Sequence, residues 1–594
     1  MKLFSCPTAT VAEFGEFARR AAGLGGTHVV VSDLPKSRWQ WEMDLNDPYP
    51  NWGMMQATIF KVVIPEELAE WLPGEYGMRN LEIVAERGEV LRSLGLKAAF
   101  WGSEPAWWPE AVYAAHPDWR GARCEHPKRA RRTYFSPCID HPEVLGMYRR
   151  AVAELCRAAP MEFFQFLTND SGGGICWSEG LYPGANGPSA CRERPFRERL
   201  VGFFDTIQQG ARDAGLEATV GVFGSIPQSE VEGTWPSLHE KQAVAGKDRQ
   251  GRTSLMAVGS KDDFYGSCVY PARGIPQVVT MAEELERSVA GAKGGAGADV
   301  QYSFASMETT EAFDLVELFN QRPARGLVAR MELLVRVAAR QVGAAHAAGL
   351  VEAWERIQRA VAAVRPIEGG GPVLLLGCVN QRWLTRPFVL FPMELEAQQK
   401  DYYRRFQFQT NTQEEAADLM NLQAYELIRG QACTRLATTL FETAIGELRK
   451  AIELVEGIAQ ESAEGTGMGK MRRLGLRLRA LICLIRNAEH AAQFQDVMDR
   501  TDFGQQPKPT AQWRLAGDPR LREIQQITRA EVDNCHELIG ILAAAPGDVL
   551  EMAESAEGED VFMLGPDLVE LLGKKAGIMM AHWMDANRVY ERFS

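Results

Sequence analysis

The sequence predicts an α/β chain: a (β/α)8 TIM barrel over residues 1–330, a connecting segment over 331–395, and a mainly α-helical domain over 396–594. Three observations carry this. Short apolar runs of β type alternate with helical stretches through the first 330 residues, the pattern of a parallel sheet. About eight such runs fall in about 300 residues, the number that closes a barrel. From 396 onward, long stretches keep apolar residues on one helical face, as packed bundles do.

In chain order, residues 27–32 are β-branched and end at Asp33. A helical period follows over 65–94. Residues 97–101 read as a strand that runs into Gly102, Ser103, Glu104 and Pro105. A shorter strand is expected at 133–137, then a helix over 142–158 with Pro142 at its start, where helices tolerate proline. The next strand runs through Phe163, Phe164, Gln165, Phe166 and Leu167 and stops at Asn169 and Asp170. A helix over 193–214 and strands at 218–223, 255–258 and 265–270 come after it. A helix over 278–292 and a strand at 300–304, ending near Glu308, complete the eight. An open doubly wound sheet is the rival fold. No G-x-G-x-x-G follows the first strand, so a dinucleotide fold has no positive support.

Residues 326–364 read as one or two helices. Gly369, Gly370, Gly371 and Pro372 break them before a short strand at 373–376, and a Pro-bounded loop carries Arg382, Trp383 and Arg386. Helical periods then span 414–456, 471–498 and 521–545.

The chain has 46% hydrophobic and 24% charged residues, ordinary for a globular protein, and its net charge of -13 argues against a nucleic-acid partner. No run approaches the ~20 apolar residues of a membrane span. The 11 cysteines include no C-x-x-C pair, which reads as reduced thiols and a cytoplasmic protein, or an exported one if a leader has been removed. No H-E-x-x-H or other metal-ligand spacing, no G-x-S-x-G elbow and no P-loop is present. The expectation is therefore no metal and no cofactor.

What remains points to sugar chemistry. The stretch from Asn169 and Asp170 through three glycines to Trp177 and Glu179 sets an amide, two acids and an indole at the C-terminal end of a barrel strand. Such folds place their chemistry there, and glycoside cleavage needs a proton donor plus a second group that attacks or activates water. The candidate carboxylates are Asp170, ranked first, with Glu308, Glu104 and Asp33 at other strand ends. Asp before Gly also caps turns, and Glu308 also suits a helix start. Tryptophans 39, 41, 52, 101, 107, 108, 119 and 177 cluster near these ends, as in sites that stack sugar rings, although burial in loop cores is the common fate of an indole. Candidate substrate contacts are Asn169, Trp177, Glu179, Trp101 and His126, with Arg382 and Arg386 as a clamp for a carboxylated sugar.

Tyr134, Phe135, Ser136, Pro137, Cys138, Ile139, Asp140, His141, Pro142, Glu143 and Val144, then a helix, then the strand ending Asn169, Asp170, Ser171, Gly172, Gly173 and Gly174, resemble the middle of barrel glycosidases of the α-glucuronidase and β-N-acetylhexosaminidase type. The resemblance covers about 50 residues. It implies a glycoside hydrolase acting on a terminal acidic (uronic or sialic acid) or N-acetylated sugar, with Asp170 or Glu179 as its acid. The hexosaminidases carry an Asp-Glu pair where this chain has Asn169 and Asp170, and the α-glucuronidases a glutamate where it has Gly172. The helical tail resembles extensions that form dimers in such enzymes, so the expected partners are a carbohydrate substrate and a second copy. Two other classes stay open: a metal-dependent sugar isomerase or lyase on the same barrel, and a sugar-binding protein whose catalytic pair has decayed.

Overall fold

The computed structural model describes residues 1–34, 38–39, 57–123, 134–168, 193–224, 226–253, 255–259, 269–291, 299–366, 384–404, 431–461, 466–500, 519–553 and 564–585. The chain divides into two compact units. One is Met1–Ser260, Met281–Gly326 and Thr410–Thr412; the other is Lys261–Thr280, Leu327–Gln409 and Gln413–Ser594.

The first unit holds eight parallel strands in one curled sheet: β1 (Lys2–Ser5), β2 (His28–Val30), β3 (Lys97–Ser103), β6 (Met161–Leu167), β7 (Thr219–Phe223), β8 (Gln242–Val244), β9 (Leu255–Gly259) and β10 (Asp299–Ser303). Each pairs with the next strand of the sheet in chain order, and β10 returns to β1; among the described residues only β8 and β9 are left unpaired with each other. This is the TIM-barrel plan. The two other strands, β4 (Arg120–Arg123) and β5 (Phe135–Pro137), form a separate antiparallel pair.

Helices occupy most crossovers: α1 (Val11–Gly23), α2 (Gly74–Ser93), α3 (Glu110–Ala115), α4 (Pro142–Ala158), α5 (Phe196–Asp213), α6 (Gln228–Thr234), α7 (Val278–Gly291) and α8 (Thr310–Gln321). Helix α1 begins in a capping box. The Glu13 amide donates to Thr10 Oγ1 at 3.2 Å, and the Thr10 amide donates to Glu13 Oε2 at 3.3 Å. Its apolar residues Phe14, Phe17, Ala18 and Ala21 fall at helical spacing and are all fully buried. Outward residues of the sheet meet these helices: Phe4 of β1 stacks with Phe304, which stacks in turn on Phe313 of α8 at 4.0 Å between ring centroids.

The second unit is helical: α9 (Gly326–Val342, whose first residue lies in the first unit), α10 (Ala347–Val364), α11 (Ala397–Arg404), α12 (Gln431–Glu461), α13 (Thr466–Arg500), α14 (Pro519–Ala544) and α15 (Leu568–Ala581). Successive long helices pack on one another, α10 on α12, α12 on α13, α13 on α14 and α14 on α15. No described helix is long and apolar enough to cross a membrane.

The fold class matches the sequence reading, but two of the eight expected strands are different ones. The 133–137 run is β5, outside the barrel. Of the 265–270 run, only Val269 and Tyr270 are described, and they form a turn. Their places are taken by β1 and β8, four and three residues long. Strands that short show almost no alternation, so periodicity passes over them. The 373–376 run lies outside the described residues.

Candidate functional site

Side chains alternate between the two faces of a strand. The apolar cluster of Leu3, Val30, Ala99 and Phe163, with Trp101 and Leu255 against it, draws on five different strands of the sheet, so these positions face the barrel interior. The register carries the pattern upward: Ala99 is opposite Phe163, Trp101 opposite Gln165, Ser103 opposite Leu167, and Gln165 and Leu167 opposite Gly221 and Phe223. Trp101 and Phe223 confirm a shared face, with ring centroids 6.0 Å apart. Above the apolar layer the interior turns polar. Ser5 Oγ donates to Ser303 Oγ at 3.1 Å, and Gln301 Nε2 donates to Ser303 Oγ at 3.2 Å. Ser32 Oγ accepts from the Trp101 amide at 2.8 Å and donates to its carbonyl at 2.7 Å, which fixes the tryptophan backbone.

The strand ends deliver the sequence candidates unevenly. Asp33, just after β2, is half-buried, and its carbonyl accepts from the Thr8 amide and from Arg87 Nη1 at 3.1 Å. Glu308 is exposed on the turn between β10 and α8, its amide donating to Ser306 Oγ at 3.2 Å. Trp101 is half-buried on the inner face.

Glu104 is only 1% exposed. Its Oε1 accepts from the Ile59 amide at 2.5 Å. Its Oε2 accepts from Tyr148 Oη at 2.7 Å and from the Ala106 amide at 3.3 Å. Burial pushes this carboxyl up to about 7, against the pull of those three donors and of the Lys61 charge. Lys61 is itself buried, which holds its ammonium well below the usual lysine range, and Tyr148 is raised by burial and by Glu104. The carboxylate thus ties the segment after β2 and helix α4 to the end of β3. Sequence reasoning placed Glu104 at a strand end, where it is, without the signal that two distant groups, the Ile59 amide and Tyr148, would enclose it.

Asn169, Asp170, Trp177, Glu179, His126 and Arg382 lie outside the described residues. The strand that leads to the first two is described. β6 ends at Leu167, and the Thr168 amide still donates to the Phe223 carbonyl at 2.9 Å. Gly224 faces Thr168 at this edge. Its φ is +129, and a Cβ there would come within 2.2 Å of Thr168 Oγ1, so only glycine lets the two strand ends approach. Arg386 is fully buried in the second unit. Of the clustered tryptophans, Trp39, Trp107, Trp108 and Trp119 are buried; Trp41 and Trp52 lie outside the described residues.

At the N-terminal ends of β7 and β8, a groove of about 690 Å³ is lined by Arg149, Asp205, Arg212, Glu217, His239 and Lys241, among others. Two pairs lie within it, Lys241 with Glu217 at 3.0 Å and His239 with Asp205 at 2.8 Å. It lies at the end of the sheet away from the strand C-termini.

No protein-family model matches the chain, and no curated protein matches it. Solved structures similar to it include a GH138 enzyme targeting pectin rhamnogalacturonan II, at 9% identity over 100% of this chain and 68% of that one, with a TM-score of 0.49. Others are the Flavobacterium johnsoniae chitobiase, at 11% identity over 96% of this chain and 76% of that one (TM-score 0.32), and a β-N-acetylhexosaminidase, at 14% over 57% and 75% (TM-score 0.31).

Proposed function

We propose that this protein is a glycoside hydrolase whose active site is the C-terminal mouth of the barrel, acting on a terminal acidic or N-acetylated sugar. One observation carries the reading. β6, held in parallel register between β3 and β7, brings the chain to the rim at Thr168, two residues before Asp170. A carboxylate delivered there sits where barrels do their chemistry. Beside it the inner face offers Trp101 and Phe223 as an aromatic wall for the C–H face of a sugar, and serine and glutamine groups for its hydroxyls.

In this reading Asp170 is the general acid or orients the substrate. Glu308 and Asp33 are the better partners, because each keeps some exposure while Glu104 is enclosed by its own donors. Glu104 fits a positioning role, holding the rim segments together. Asn169 bonds a hydroxyl or amide, Trp177 stacks on the ring, and Glu179, His126 and Arg382 add contacts from the loops.

The test is a screen of aryl glycosides, including glucuronides, sialosides and N-acetylhexosaminides, with the wild type and Asp170→Asn. At least one substrate is expected to turn over, and the substitution to slow it by about 10²–10⁴-fold, the size of a general-acid contribution. Turnover unaffected by Asp170→Asn would remove Asp170 from the mechanism. A silent panel would remove the glycosidase.

A further inference from the structure

Two polar groups face inward near the rim, and one of them is buried without a partner. Ser103 is 2% exposed, and its Oγ has no hydrogen-bond partner. Gln165 is 8% exposed, and its carboxamide stands on the same inner face. They are diagonal neighbours on adjacent strands: Gln165 is opposite Trp101, and Ser103 lies one pleat higher, opposite Leu167. Buried polar atoms in native cores are nearly always paired, so the unpaired Ser103 hydroxyl, with a carboxamide beside it on the inner face, asks for a ligand or trapped water. The neighbouring strand accommodates the carboxamide. A Cβ on Gly221 would come within 2.7 Å of Gln165 Oε1, so the carboxamide lies against bare backbone.

We propose that Gln165 and Ser103 form the floor of the sugar subsite and bind hydroxyl or other uncharged groups of the terminal ring. This rests on the glycosidase reading and narrows its substrate to a neutral N-acetylated sugar, away from the acidic one. A carboxamide and a hydroxyl each donate and accept, as a sugar hydroxyl does. A carboxylate only accepts, and burying one here requires a cation. The inner positions around the floor, Ser5, Ser32, Gln301 and Ser303, are neutral. On β3, the inner-face cation Lys97 sits two pleats below Trp101, 2.5 Å from Glu162. Trp101 supplies the apolar side that a ring face needs.

The experiment measures sugar binding by full-length protein through intrinsic fluorescence and ligand-observed NMR, with N-acetylglucosamine, N-acetylgalactosamine and glucuronate as probes. It compares wild type, Gln165→Met, Ser103→Ala and Gly221→Ala. The last keeps every polar group and displaces only the carboxamide. Wild type is expected to bind an N-acetylhexosamine at least about tenfold tighter than glucuronate, and each variant to lose about tenfold, the cost of a ligand hydroxyl left unpaired. The melting temperature of unliganded Ser103→Ala is expected to stay level or rise, since it removes an unpaired buried hydroxyl. Equal binding by wild type and variants, or a preference for glucuronate, overturns the floor; in that case water satisfies these atoms. Turnover in the aryl-glycoside screen with floor-independent binding sinks this inference alone. Floor-dependent binding with no turnover leaves the floor and sinks the glycosidase. No sugar binding at all sinks both.

Discussion

Lys575→Met in the helical unit is expected to cost several kcal/mol, and its size can be worked from the pair it breaks. Lys575 of α15 and Glu531 of α14 form an ion pair in which neither side chain has any solvent exposure. Glu531 also accepts from Asn487 Nδ2 at 2.7 Å and faces His490 Nδ1 at 2.7 Å. Lys575 Nζ also donates to the Leu384 carbonyl at 3.2 Å and lies 4.6 Å from the Phe388 ring centroid. Burial alone would raise the Glu531 carboxyl; the charges and donors of Lys575 and His490 overcome it and hold the group at about 2, against an ordinary 4.5. At 1.36 kcal/mol per pK unit, that net depression, to which Lys575 and His490 both contribute, corresponds to about 3 kcal/mol. Methionine keeps the length of the side chain and removes the charge, leaving a carboxylate in the core. Breaking one partner of a buried pair typically costs about 3–5 kcal/mol, the same range.

Urea unfolding followed by circular dichroism, at pH 7, reads the loss. Glu531→Gln/Lys575→Met is expected to recover most of it, because the glutamine oxygen still accepts from Asn487 and no charge is stranded. The pH sign follows from the depressed carboxyl: its contribution is complete above about 4.5 and fades as pH falls toward 2. Wild type therefore loses stability across that window and the double variant loses less. A Lys575→Met cost below about 1 kcal/mol, or a double variant as unstable as the sum of the singles, would refute the reasoning.

Two other substitutions test how the barrel rim is held. Tyr148→Phe removes the shorter of the two hydrogen bonds to Glu104 Oε2, leaving the Ala106 amide, and is expected to cost about 1–3 kcal/mol, read as a lower urea midpoint; an unchanged midpoint would remove Tyr148 from the clamp. Arg87, fully buried, donates to the Val31, Asp33 and Thr8 carbonyls and to Thr8 Oγ1. Arg87→Met is expected to lower the melting temperature by more than Tyr148→Phe, because it leaves three carbonyls after β1 and β2 without this donor. A smaller drop would mean those loops are held by other contacts.

The parts of the fold legible in the sequence were those with enough residues to show a period. Helix α4 was readable to its ends, since Pro142 marks its start and Val144, Met147, Tyr148, Ala151, Val152 and Leu155 bury at helical spacing. Strands β3, β6 and β7 stood out as apolar runs broken by glycine or polar residues. The 133–137 run has the composition of a strand, and it is one, but composition carries no partner: β5 pairs with β4, not with the barrel. Of the candidate carboxylates, Asp33 and Glu104 were legible as residues just after strands β2 and β3. Which of those ends are enclosed was not, because the burial of Glu104 depends on Ile59 and Tyr148, some 45 residues away on either side.

Gln165 escaped for a further reason, which lies in the strand itself. Met161, Glu162, Phe163, Phe164, Gln165, Phe166 and Leu167 do not alternate cleanly, so no periodic reading says which residues look inward. The register settles it. Ala98 pairs with Met161 but Ala99 pairs with Phe163, so one extra residue, Glu162, is taken up in a bulge. A regular ladder from the same start would set Phe164 opposite Trp101 and turn Gln165 outward. With the bulge, Phe164 and Phe166 point out, where both are fully buried and Phe166 meets Phe203 of α5, and Gln165 points in. Glu162 stays at the foot of the sheet beside Lys97. A single inserted residue at the bottom of β6 therefore decides whether the interior beneath the mouth is phenyl rings or a carboxamide, and so whether it suits an apolar ligand or the hydroxyls of a sugar.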